Sequence, residues 1–148
     1  MDSTELQHRT KKLALEIIKL TKQLPNNRVG WTFSDQIIRS ATSVAANYRA
    51  VCRARSDKEF IAKMGIVIEE ADETLFWLEM IDESGIMIDD LKDDNLRFRN
   101  EKVQNPKSKI NYLKDEANQL VSIFVASAKT VKSRLNKQSK ISNQKSGK

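Results

Sequence analysis

Mostly apolar residues recur at spacings of three or four along separate stretches of this 148-residue chain, and no other feature limits its fold so narrowly. Leu6, Thr10, Leu13, Ile17, Leu20 and Leu24 form the first series, and Ile37, Ala41, Val44, Tyr48 and Val51 the second. Phe60, Met64, Val67, Ala71, Leu75 and Leu78 form the third; Ile110, Leu113, Ala117, Leu120, Phe124, Ala128, Val131 and Leu135 form the fourth. At about 100° per residue each series falls on one side of a helix, and four such seams can hide only against one another. Four glycines and two prolines supply too little turn chemistry for the many short strands of a sandwich or barrel. The expected fold is all-α, an antiparallel up-down-up-down four-helix bundle.

Local signals set the expected boundaries. Helix one begins near Ser3 and runs to Leu24, where Pro25, Asn26, Asn27 and Gly30 stop it, because proline cannot continue the hydrogen-bond ladder. Thr32 or Ser34 is expected to cap helix two, which continues to about Arg53. Ser56-Asp57-Lys58-Glu59 reads as a capping box: Ser56 accepts from the Glu59 amide and Glu59 reaches back to the Ser56 amide. Helix three then ends near Ser84 with Gly85 as its cap. Asp89 to Asn105 is charged and weakly periodic, with Leu91, Leu96, Phe98 and Val103 as its few anchors, and predicts an extended loop holding a short helix. Asn105 and Pro106 suit the cap and first position of helix four. Residues 1–136 make the bundle, and 137–148, poor in apolar residues, a flexible basic tail.

Charge is unevenly spread. A formal net charge of +6 and a pI near 9.5 favour encounter with nucleic acid or an anionic membrane surface. Lys129 to Lys148 holds seven cations and no acid, whereas Glu69 to Asp94 holds eleven acids and one lysine, so the basic excess belongs to particular segments. On helix two, Arg39, Arg49 and Arg53 share an arc of roughly 80° opposite the apolar seam. Ser43, Ala46 and Ala50 lie between them and would let a backbone or phosphate chain come close. These arginines suit either of two partners: phosphates, or Glu69, Glu70 and Glu73 of the next helix or of a neighbouring subunit. A planar guanidinium serves carboxylate and phosphate equally. Arg55 and Lys58, near a helix start, and Lys129, Lys132 and Arg134 on helix four complete the candidate nucleic-acid contacts, with Lys137 and Lys140 beyond them.

The back of helix three places Ile66, Trp77 and Met80 beside Glu69 and Glu73. These residues either cover the long loop or form an oligomer interface, and aromatic and methionine enrichment favours the interface. Chemistry is harder to place. Carboxylate-bridged di-iron bundles need paired Glu-x-x-His motifs, and His8 is the single histidine. Cys52 and the serines have no evident base, so neither catalysis nor a metal or cofactor is expected. One cysteine excludes an intrachain disulfide framework and fits a reducing compartment. The N-terminus lacks an apolar signal core, and the expected location is cytoplasmic.

The run through Arg39, Ser43, Asn47, Arg55, Ser56, Glu59 and Phe60 resembles the 23S rRNA intervening-sequence protein family, and Glu116 to Thr130 is similar to that family's last helix. The resemblance implies a non-enzymatic four-helix bundle that assembles into a ring, commonly a pentamer, with a basic surface for nucleic acid, RNA above all. A similar bundle, the accessory variability determinant of diversity-generating retroelements, implies an adaptor role that a partner protein could share. Asn47-Tyr48-Arg49-Ala50-Val51 departs from the family's Asn-Ile-Ala-Glu-Gly, so a glutamate is lost and an arginine gained.

Overall fold

The structure, a computed structural model, describes residues 1–87 and 106–146. Within them the chain is four helices and no strand: α1 (Ser3–Thr21), α2 (Arg28–Val51), α3 (Asp57–Ser84) and α4 (Pro106–Ser146). Each helix packs on the next and α1 returns, more lightly, to α4, which closes an up-down-up-down ring. One end of the bundle therefore gathers the start of α1, the end of α2, the start of α3 and the later turns of α4. The charged loop expected between helices three and four, with its anchors and the Asn105 cap, lies outside the described residues.

The four seams form the core. Every residue of the first two series is buried, as are Met64, Val67, Ala71 and Leu78 of the third and all but Leu135 of the fourth. Phe124 fills the centre with no exposure, its ring 5.2 Å from that of Tyr48. Between α2 and α3 the buried hydroxyls of Ser40 and Thr74 stand 3.0 Å apart, each also within reach of a carbonyl of its own helix. No buried polar side-chain atom among the described residues lacks a partner. Arg9 fastens α1 to α4 with a two-pronged hydrogen bond to Glu116, 2.8 and 2.9 Å, and that carboxylate raises the arginine's affinity for its proton.

Helix ends depart from expectation in instructive ways. Asp2 caps α1 by accepting from the Glu5 amide, and the helix stops at Thr21, three residues short of Leu24, which is nonetheless buried. Asn27, read as part of a helix stop, is the N-cap of α2 and accepts from the Gly30 amide at 3.0 Å; Thr32 and Ser34 lie inside the helix. Gly30 permits this early start, because a Cβ there would stand 1.9 Å from the Pro25 carbonyl oxygen.

Ser56 caps α3 as expected and accepts from the Glu59 amide at 3.1 Å. Glu59, however, reaches back to the Arg55 amide rather than that of Ser56, at 3.0 Å, and this bond is the main reason its carboxyl is held below the usual range. Gly85 closes α3 in the left-handed region, φ 69°. Helix α4 runs on to Ser146, through most of the segment read as the basic tail. At 1.5 Å per residue its 41 residues span about 60 Å, against about 42 Å for the 28 of α3. Past Leu135 the stripe of buried Val131 and half-buried Leu135 is continued by Ser139 and Ser142, and every described side chain from Asn136 to Lys145 is exposed. The helix leaves the bundle where its apolar face ends.

Candidate nucleic-acid interface

The expected cations divide into two environments. Arg39, in the middle of α2, is spent inside the chain: it pairs with Glu70 of α3 at 3.1 Å and with Glu73. Ten residues of helix, about 15 Å, separate it from Arg49. Arg49 stands in the last turn of α2; Arg53 and Arg55 lie in the connection and Lys58 in the first turn of α3. All four are exposed, and no described carboxylate pairs with their side chains. The same end receives Lys129 and Lys132 of α4, also exposed, while Arg134 crosses to Asp57 with two hydrogen bonds of 2.9 and 3.2 Å.

That crossing positions the site. Asp57 occupies the first turn of α3, where the amide ends of the helix favour a negative group, and holding Arg134 there lays α4 beside the turn that carries Arg55 and Lys58. Three chain segments thereby place six cations that form no ion pair with a described carboxylate at one end of the bundle. The exposed Cys52 caps α2 at this end, and burial, followed by its neighbour Cys52, pushes the phenol of Tyr48 up.

Arg39 lowers the carboxyl of Glu73 chiefly by hydrogen bonding to it; the indole N–H of Trp77, which donates to Glu73 at 3.4 Å, adds to the effect. A folded-state value below the ordinary 4.5 contributes stability above that pH and loses it as the pH falls through the folded value. Acid titration of unfolding is therefore expected to show a decline below about pH 4.5 that is shallower in Glu73→Gln, measured as denaturant midpoint against pH.

On the back of α3, Ile66 is 44% exposed and Glu69 is exposed, while Met80 and Glu73 are partly covered. Trp77 turns toward α2, its ring 5.6 Å from Phe33, and the aromatic on the open face is its neighbour Phe76, 50% exposed. Sequence periodicity placed Trp77 outward and passed over Phe76. Gly65, on the same open face, has nothing within 4 Å of where a Cβ would stand.

A family model described as 23S rRNA-intervening sequence protein matches residues 3–105. The chain belongs to that family. The match covers the first three helices and ends before α4. Among solved structures, one of a protein of unknown function from the S23 ribosomal protein family of Bacteroides thetaiotaomicron VPI-5482 is similar, with 24% identity and a TM-score of 0.66. It covers 87% of this chain and 99% of that one, a share that cannot be reached without the fourth helix, and it supports the fold. No curated protein matches. Within this intervening-sequence protein, no described helix is long and apolar enough to cross a membrane, and no group of metal-ligating side chains forms among the described residues.

Proposed function

We propose that this family member is a non-catalytic homo-oligomer that binds RNA or other nucleic acid through the basic end of its bundle. The observation that carries the reading is the convergence of Arg49, Arg53, Arg55, Lys58, Lys129 and Lys132 from three segments, none of them paired with a described carboxylate. Unspent cations at that density attract a polyanion. The family's name, with its 23S rRNA, favours RNA. Arg39 and Arg134 serve as supports, the first for the α2–α3 seam and the second for the position of α4.

Assembly uses the back of α3, with Phe76 added to Ile66, Glu69, Glu73, Trp77 and Met80. Half-exposed aromatic and aliphatic side chains there gain from desolvation. Gly65 costs a helix interior about 0.5–1 kcal/mol relative to alanine, and the chain's own packing does not require it. A close-lying second copy would require it. A ring of five is the assembly that the family resemblance implies. The double variant Ile66→Lys/Phe76→Lys is expected to be monomeric by light scattering with unchanged helical circular dichroism; an unaltered mass would overturn this interface. The exposed α3 face also favours a second reading, a scaffold whose partner protein docks there, and partner capture by a variant devoid of nucleic-acid affinity would distinguish it.

A further inference from the structure

Resting on the nucleic-acid reading above, we infer that the basic end takes a double helix rather than a single strand, with the projecting arm of α4 lying between two rows of phosphates. Affinity for single strands comes largely from stacking bases on aromatic side chains, worth about 1–3 kcal/mol per base. The basic end offers none: among the described residues the exposed aromatics are Trp31, Phe76 and Tyr112, on the opening turns of α2, the later half of α3 and the opening turns of α4. The aromatics that do reach this end are Tyr48, buried, and Phe60, packed on the core. What remains is attraction to phosphate alone, and a duplex concentrates phosphates more densely than a single strand.

The arm's own charge pattern agrees. Lys137, Lys140 and Lys145 of the arm are spread over an arc of roughly 140° around the helix axis, which widens to roughly 220° when Lys129 and Lys132, just before the arm, are included. A helix meeting one flat charged surface would carry its cations on one narrow face. Cations spread this widely match a groove with a phosphate row on either wall. The remaining arc continues the bundle seam as Ser139 and Ser142, so nothing apolar calls the arm back to the core. No acid interrupts the run from Lys129 onward.

Fluorescence anisotropy with the full chain tests this, using a duplex RNA, a duplex DNA of the same length and the single RNA strand, each at two salt concentrations. The wild type is expected to bind at least one duplex about tenfold or more tightly than the single strand. The variant Lys137→Gln/Lys140→Gln/Lys145→Gln, whose circular dichroism checks that the fold is kept, should lose about tenfold or more in duplex affinity and much less for the single strand. Which duplex shows the preference identifies the form of helix bound. A single strand held as tightly as both duplexes, or a triple variant with unchanged duplex affinity, would overturn the inference and leave nucleic-acid binding standing. Absence of salt-sensitive binding to all three probes would overturn both.

Discussion

Replacing Arg49, Arg53, Arg55 and Lys58 together by glutamine is expected to weaken nucleic-acid binding by about a hundredfold or more at low salt. Each phosphate neutralised in a duplex contributes about 0.9 to the slope of log affinity against log salt, so four lost contacts lower that slope by about 3.6. The fold should be untouched, because all four side chains are exposed and the one hydrogen bond this segment supplies to Glu59 comes from the Arg55 backbone amide. Equal melting temperatures with unequal affinity would assign the loss to the surface. The contrasting variant is Arg39→Gln, whose partners are Glu70 and Glu73: it should disturb the α2–α3 seam slightly and leave affinity near that of the wild type.

Phe124→Ala should have the largest effect on folding, about 3–5 kcal/mol. Phe124 is fully buried at the centre of α4, in ring contact with Tyr48 of α2, and alanine removes that contact and leaves a cavity between helices that cannot close over it. A domain of this size holds only about 5–15 kcal/mol in total, so the variant should unfold at a much lower denaturant midpoint. Loss of less than about 1 kcal/mol in urea titration would mean that the bundle repacks freely there.

The seams were legible because helical periodicity records which side of each helix is buried, and burial follows directly from it. Ser56 and Gly85 were legible for a related reason: a cap acts on its own helix within three or four residues. What escaped depends on a third party. Asn27 can end one helix or begin another, and the outcome turned on Gly30 fitting beneath the Pro25 carbonyl. Glu59 had two amides within reach, and the turn's path presented that of Arg55. Trp77 and Phe76 are adjacent on the same helix, and the position of Phe33 on α2 decided which ring was covered. The Arg9–Glu116 clamp joins residues 107 apart and has no local signature.

Among the candidate binding residues, periodicity grouped Arg39 with Arg49 and Arg53 because all three share one face. Distance along the helix and the carboxylates of α3 separate them. The joining of Arg55 and Lys58 to the α4 cations needed the topology, since the segments are far apart in sequence and meet only because the start of α3 lies beside the later turns of α4, at Arg134. Arg134 looked like one more surface cation until Asp57 was seen beside it.

The most direct test of the central claim is the salt dependence of RNA binding by the wild-type chain, followed by filter binding or anisotropy across a range of ionic strength. Six converging cations predict a linear fall of log affinity with log salt, with a slope of about −4.2 on a single strand and about −5.4 on a duplex if each meets one phosphate. An affinity that is absent at low salt, or that does not change as salt is raised, would contradict the assignment of the basic end to nucleic acid.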